Sequence, residues 1–432
     1  MKALILAGGK GTRLKSLSKD IPKALFEIKG TPLIVRQLKQ LKEQNITDVF
    51  VSVGYLANKI IAYLGNGNKY GVRITYLKED KPLGSGGPLY FLKEKLNESL
   101  LTISCDIVLD MDFKRFYEFH KKKNAIASIV VHANDHPYDA DLVVLDDDSR
   151  ILKFLLKPHD NNRIYNNIIN ASVYIFEPEF LKFVEDNKKQ NMEKDILVRS
   201  LVTNRVFAYK TREYIKDVGT PERIKKATED MDLGLIEKLN IKNKIPAIFL
   251  DRDGVINQEK NGVFKVKDFE MIEGSSEAIR NINNSEFLTI VITNQPFVAK
   301  GQCSIKDVNK VHKYMETLLG KERAYVDEIY FCPHHPEKGW PGENPKYKID
   351  CECRKPKTGM IEKAVEKYNI DVSKSWFIGD STTDIMTARN AGIKSICVKT
   401  GHSCKDNKYH IKPDFFAKDL KEAINFILKN GS

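Results

Sequence analysis

A chain of 432 residues exceeds one ordinary hydrophobic core and predicts two or three domains, with two as the starting number, because cores typically serve roughly 150 residues. Its apolar fraction of 42% and mean hydropathy of -0.38 fit a soluble globular protein, and no apolar run is long enough to span a bilayer. The charge of +12, from 70 Lys and Arg against 58 Asp and Glu, is spread along the chain without an arginine-rich tract, which argues against nucleic acid and for small anionic substrates.

The opening run, MKALILAGGKGTRL, is interrupted by glycines and followed by no cleavage pattern, so it does not read as a secretion signal and a cytoplasmic location is expected. Seven cysteines in such a chain are expected to be reduced thiols, with three close together in the second half pointing to a metal. Short apolar runs at 3–6, 49–53, 101–104 and 129–131 alternate with helical patterns at 32–42 and 113–121, the rhythm of βαβ units. A helix is predicted over 221–231, and then a Lys- and Asn-rich stretch ends in Pro246. A second series of runs follows at 247–250, 288–293, 376–379 and 394–398. The expected fold is α/β, with two Rossmann-like doubly wound domains: 1–238, a linker at 239–245, and 246–432.

After Leu6 closes the first strand, Ala7, Gly8, Gly9, Lys10, Gly11, Thr12 and Arg13 follow directly. Glycines there let backbone amides approach an anion, and the spacing fits neither the P-loop nor the dinucleotide fingerprint. Lys10, Arg13 and Lys23, the last after Pro22, supply positive charge for a transferring nucleotidyl group. The segment GGKGTRL followed by PKAL resembles the sugar-1-phosphate nucleotidyltransferases. That resemblance implies magnesium on Asp106 and Asp217, a base- and sugar-contacting turn at Gly84, a sugar contact at Asn170, and phosphate contacts from Lys157 and Lys194. It implies attack of a sugar phosphate on the α-phosphorus of a nucleoside triphosphate, with Lys23 and Arg13 stabilising the charge that develops. One departure is Leu156, where the family commonly has Glu before Lys157-Pro158.

In the second half, Phe249-Leu250-Asp251-Arg252-Asp253-Gly254 leaves a buried strand with two carboxylates two residues apart, which strand alternation turns to one side. Asp251 is expected to attack phosphorus, and Asp253 to protonate the leaving oxygen and then activate water. With Thr293-Asn294 and Gly379-Asp380-Ser381-Thr382-Thr383-Asp384, the pattern resembles the haloacid dehalogenase superfamily phosphatases. The resemblance implies that Thr293 and Asn294 bind the phosphoryl group and that Asp251, Asp253 and Asp380 hold magnesium, supported by Asp384.

Cys332, His334, Cys351 and Cys353 offer three sulfurs and one nitrogen across a polar loop, a closed tetrahedral zinc set in which His335 is the rival ligand. Arg354 and Lys355 follow at once, so a fixed metal would orient a guanidinium toward substrate and an ammonium toward the nucleophile. CPHHP and CECRKP in an Asp-x-Asp phosphatase are similar to the D,D-heptose 1,7-bisphosphate phosphatases and their histidinol-phosphatase relatives. Lys300 stands where those enzymes usually carry Arg, keeping the charge but losing the planar fork.

Together the halves resemble bifunctional enzymes that dephosphorylate a heptose 1,7-bisphosphate and then guanylylate the 1-phosphate from GTP, in nucleotide-sugar synthesis for surface polysaccharide. A hexose-1-phosphate nucleotidyltransferase fused to a histidinol-phosphate-like phosphatase is the alternative, and a catalytically silent half is a third. The expected partners are nucleoside triphosphate and sugar phosphates, with no nucleic acid and no membrane; a homo-oligomer is left open.

Overall fold

The computed structural model describes residues 1–9, 20–160 and 162–430, so Lys10, Gly11, Thr12, Arg13 and Leu14 lie outside the described residues. Contacts divide the chain into two compact units. The first comprises Met1–His132, Asp141–Leu156 and Ile169–Ile241; the second comprises Ala133–Ala140, Lys157–Ile168 and Lys242–Ser432.

At the centre of the first unit, Lys2–Leu6 runs parallel to Asp48–Val53 on one side and to Leu100–Ser104 on the other. These strands read Val/Ile/Leu-rich because both faces are buried, as parallel sheets require. Past Leu100–Ser104 the direction reverses: Ile169–Phe176 lies antiparallel to it and to Ala127–His132, so the nine-stranded sheet is mixed. Helix Leu33–Glu43 buries Leu33, Ile34, Leu38 and Leu41, the three-and-four spacing that puts one apolar stripe on a sheet. Its buried Gln37 donates to the carbonyls of Ser104 (2.8 Å) and Ile107 (3.0 Å), pinning the turn that carries Asp106. A separate two-stranded pair, Ile107–Asp110 with Tyr214–Asp217, sets Asp217 opposite Ile107, and the Val218 N–H donates to the Asp106 carbonyl at 2.8 Å.

The second unit is built on a six-stranded, wholly parallel sheet in the order Glu328–Cys332, Leu288–Asn294, Ala247–Leu250, Trp376–Gly379, Lys394–Val398, Phe415–Ala417. Helices Ser275–Asn283 and Leu420–Asn430 contribute Ile279, Ile282, Ile424 and Ile427 to its core. Asp251, Thr293 and Asp380 stand at the carboxyl ends of the three central strands, where open α/β sheets place their ligands. Two segments from the first half of the sequence also belong to this unit. Tyr165 N–H donates to Thr317 Oγ1 (3.0 Å) and Asn166 to Glu316 (2.7 Å), both on helix Ile305–Lys321. Among the described residues, no helix is long and apolar enough to cross a membrane.

Ile279 is fully buried in the second core. Ile279→Ala is expected to cost about 2–5 kcal/mol of stability in urea denaturation, and a loss well under 1 kcal/mol would contradict this packing.

Candidate active sites

In the first unit the chain leaves Lys2–Leu6 with Ala7 still bonded to the Ser52 carbonyl (3.0 Å) and enters Gly8-Gly9. A Cβ on Gly8 would stand 2.1 Å from Glu79 Oε1, so that carboxylate occupies the space only glycine leaves. The other oxygen of Glu79 accepts the Leu83 N–H (3.0 Å), linking the Gly8 turn to the Leu83-Gly84 turn. Lys23 donates to Asp106 Oδ2, and the Ser104 hydroxyl to Oδ1. Burial pushes the Asp106 carboxyl up, but the Lys23 charge and the bonds from Lys23 and Ser104 outweigh it and hold the group below its usual range. Asp217 is bonded by the Gly219 N–H and by Arg223. Lys23 thus lies on Asp106, and the backbone bond from Val218 to Asp106 sets Asp217 next to that turn; the two carboxylates are hard oxygen donors.

Asn170 belongs to a different cluster in that unit. Its amide donates to Glu193 (2.9 Å), which also accepts the Tyr174 hydroxyl (2.7 Å). Burial raises the Glu193 carboxyl. Sequence reasoning passed over Glu193 in favour of its neighbour Lys194, which is exposed on the wide turn Met192–Leu197. Lys157 falls in the second unit, where its ammonium donates to the Asp139 carbonyl (2.9 Å).

In the second unit the strand ends at Leu250, so Asp251 and Asp253 lie beyond it and strand alternation does not govern them. They turn to different partners. Asp251 faces the ammonium of Lys355 at 3.0 Å, and Lys355 also donates to Asp384 at 2.6 Å. Asp253 is gripped by the buried Arg252 (2.9 Å), Asn257 (2.9 Å) and Gln295 (2.9 Å), and Gln295 donates to Thr293 Oγ1 as well (3.0 Å). Arg252 and Gln295 were legible only as neighbours of the expected residues. Asn294 and Lys355 exchange backbone and side-chain bonds at 3.1 and 3.2 Å.

Asp251, Asp380 and Asp384 each place an oxygen within 4.8 Å of the others, a group suited to a metal. Of the expected set, Asp251 and Asp380 stand in this group with Asp384, the expected support, while the Asp253 carboxylate is bonded by Arg252 and Gln295. Asp380 accepts the His402 N–H (2.7 Å), and a Cβ on Gly254, whose φ is +77°, would stand 2.4 Å from its oxygen. Burial pushes the Asp251 carboxyl up to about 7, with Lys355 opposing and the Asp384 and Asp253 charges adding. Burial and the charges of Asp384 and Asp251 push Asp380 up to about 8. Such crowding is what a divalent cation relieves, so the residues fit one.

The four metal-loop residues converge: Cys332 Sγ lies 3.5 Å from Cys351 Sγ and 3.3 Å from Cys353 Sγ, and His334 Nδ1 lies 3.3 Å from Cys353 Sγ. Tetrahedral ligands at zinc–sulfur distance are about 3.8 Å apart, so the set fits a small thiophilic ion. His335 is outside this group. Arg354 donates to the His334 carbonyl at 3.0 Å, which ties the loop to the Arg354-Lys355 pair. The expectation of reduced thiols throughout is corrected at Cys397 and Cys404, which form a disulfide because the turn beneath Asp380 brings their Cα atoms to 6.4 Å. Cys404 N–H donates to the Asp380 carbonyl.

Residues 2–232 match the nucleotidyl transferase family and residues 352–423 the HAD-hydrolase-like family. Mannose-1-phosphate guanyltransferase of Candida albicans is 32% identical over 228 residues, 51% of this chain and 62% of that protein. The chain thus spans under two thirds of that relative's length. D-glycero-beta-D-manno-heptose-1,7-bisphosphate 7-phosphatase of Haemophilus ducreyi is 37% identical over 157 residues, 36% of this chain and 84% of that enzyme. The crystal structure of D,D-heptose 1,7-bisphosphate phosphatase from B. bronchiseptica, complexed with magnesium and phosphate, is 29% identical, with a TM-score of 0.38 over 43% of this chain and 99% of that one.

The raised carboxyls of Asp251 and Asp380 have a consequence for stability. Their contribution is complete below the unfolded value of about 4 and is lost as pH rises through about 7 to 8, where ionised neighbours repel. In chelator, the thermal midpoint is expected to fall across that window, and added Mg²⁺ to raise it more at about pH 8.5 than at about pH 5. An equal Mg²⁺ shift at both would contradict the electrostatics described.

Proposed function

The chain belongs to the nucleotidyl transferase family through residues 2–232 and to the heptose-1,7-bisphosphate 7-phosphatase family through its second half, and on that basis we propose that it performs two consecutive steps on one sugar. It is a nucleotidyltransferase and a phosphatase. The phosphatase removes the 7-phosphate of D-glycero-D-manno-heptose 1,7-bisphosphate. The nucleotidyltransferase then transfers GMP from GTP to the heptose 1-phosphate, giving GDP-heptose and pyrophosphate. The observation that carries this is the presence on one chain of both sites, with the product of one being the acceptor of the other.

Asp251 attacks the 7-phosphorus as the bond to the sugar oxygen breaks, and Asp253, held by Arg252 and Gln295, gives that oxygen its proton. Water then attacks the phosphorus of the aspartyl phosphate, yielding its proton to Asp253 and freeing Asp251. Thr293, Asn294 and Lys355 position the phosphoryl group, and Arg354 and Lys300 reach for the far end of the substrate. In the first half the heptose 1-phosphate oxygen attacks the α-phosphorus and pyrophosphate leaves. Lys23 and Arg13 meet the developing charge; Leu6 to Gly9, Gly11, Thr12 and Gly84 line the nucleotide; Asn170 meets the sugar and Lys194 its phosphate. Magnesium, when bound by Asp106 and Asp217 or by Asp251 and Asp380, offsets charge on the phosphate oxygens.

We assign zinc to Cys332, His334, Cys351 and Cys353 on their donor chemistry, a structural ion that fixes Arg354 and Lys355. The nucleotidyltransferase is taken as 1–238 and the phosphatase as 246–432, joined by 239–245, with Ala133–Ala140 and Lys157–Ile168 counted with the second unit, and both work in the cytoplasm on small phosphorylated substrates.

Asp251→Asn should lower phosphate release by on the order of 10³-fold or more while pyrophosphate formation from GTP and heptose 1-phosphate persists. Asp106→Asn should do the reverse. Loss of both activities in either variant would sink the assignment of separate sites. Metal analysis of protein purified without chelator should find one zinc per chain, lost in Cys353→Ser; zinc-free wild-type protein would overturn the zinc assignment.

A further inference from the structure

Strand Lys394–Val398 carries Cys397, fully buried, and the chain then turns under Asp380 through residues 399–403 to Cys404, whose sulfur is bonded to that of Cys397. This turn is aimed at the phosphatase site. The Thr400 hydroxyl donates to the Gly254 carbonyl (2.6 Å), the His402 N–H to the Asp380 carboxylate (2.7 Å) and the Cys404 N–H to the Asp380 carbonyl (2.6 Å). Just past the disulfide, Asp406 accepts the Thr382 N–H (2.7 Å) and hydroxyl (2.8 Å) at the start of helix Thr382–Asn390. Ser403 and Cys404 hold φ of +57° and +54°, a left-handed pair that residues other than glycine keep only where something fixes them. Here the covalent bond to a buried strand end fixes them. The two sulfurs differ in access, since Cys397 is enclosed and Cys404 is partly exposed on the turn. The other five cysteines are unpaired thiols. A lone disulfide in a chain read as cytoplasmic belongs with the exchangeable kind, because a reducing compartment opens any bond it can reach.

We propose that Cys397 and Cys404 are a reversible thiol–disulfide exchange site, opened by a dithiol, whose closed form holds the His402 N–H on Asp380 and so sets the grip of the phosphatase on its divalent cation. This rests on the phosphatase reading above and adds a means of regulating that site. A thiolate of the dithiol attacks Cys404 Sγ, the reachable sulfur, and forms a mixed disulfide. The Cys397–Cys404 bond breaks with its electron pair passing to Cys397 Sγ, which takes a proton and has the Val398 carbonyl at 3.6 Å and the Asp380 carbonyl at 4.0 Å as acceptors. The second thiolate of the dithiol then attacks the mixed disulfide, Cys404 leaves and is protonated, and the dithiol departs as a disulfide, having given up two electrons and two protons. Once open, the turn has no covalent hold on its left-handed pair. Asp380, raised by burial and by the Asp384 and Asp251 charges, then loses the N–H that opposes them, and with it the orientation of a metal ligand.

The test compares the full chain after oxidation with oxidised glutathione, the same chain after dithiothreitol and removal of the reagent, and Cys404→Ser. Alkylation followed by mass spectrometry should find Cys397 and Cys404 joined in the oxidised chain and both alkylated in the reduced one. The Mg²⁺ concentration that half-saturates p-nitrophenyl phosphate hydrolysis should rise about tenfold on reduction, with zinc content and pyrophosphate formation unchanged. In an Asp106→Asn chain, where the second unit reports alone, the Mg²⁺ needed for half of the rise in thermal midpoint should shift by a similar factor. Cys404→Ser should match the reduced chain and ignore dithiol. The proposal is overturned if both cysteines are alkylated even after oxidation, if Mg²⁺ dependence is the same in the two forms, or if Cys404→Ser still responds to dithiol. Zinc lost on reduction would place the effect at the metal loop and overturn it too. If p-nitrophenyl phosphate is not hydrolysed at all, the phosphatase reading falls, while the thermal shift still decides the exchange site.

Discussion

A single buried ammonium holds the phosphatase together. Lys355 lies between Asp251 and Asp384, and without it the interior would carry carboxylates with too little positive charge to balance them. Asp384 spends its second oxygen on the Ser381 N–H and hydroxyl, capping helix Thr382–Asn390. One carboxylate therefore fixes a helix start and, through Lys355, the orientation of the nucleophile. Because Lys355 sits two residues from the last cysteine of the metal loop, the loop's geometry is transmitted to the reacting group with little chain in between.

The first half handles the same difficulty differently. Lys23 comes from a short turn after Pro22, and lies against Asp106, whose own turn is pinned by Gln37 from a helix. There the cation is bonded to a carboxylate assigned to magnesium, whereas in the second half Asp380, whose carboxyl is pushed up to about 8, is steadied by the His402 N–H. Both arrangements place charge on strand ends and turns while the strands themselves remain apolar, so catalytic crowding is kept out of the core.

Much of this was readable in the amino-acid order. The strand at 247–250, the strand at 376–379 and that at 394–398 coincide with the structure, because continuous apolar runs bounded by polar turns leave a parallel strand few alternatives. The cysteine and histidine set was legible because thiols and an imidazole flank a polar loop at the spacing of metal ligands. What spacing did not convey was direction. Asp251 and Asp253 part company because the strand stops before them, and the reversal at Ile169–Phe176 depends on pairing between distant segments. Cys397 and Cys404 read as two unrelated thiols until the turn under Asp380 joins them.

The membership of Ala133–Ala140 and Lys157–Ile168 in the second unit bears on how the protein is dissected. Scission at the linear boundary near residue 240 would strip helix Ile305–Lys321 of Tyr165 and Asn166 and uncover the face of Gly320 that meets Pro137. A recombinant carboxyl-terminal fragment would thus begin life with an unsheathed helix, and its sluggishness or insolubility would report on the cut and not on the chemistry.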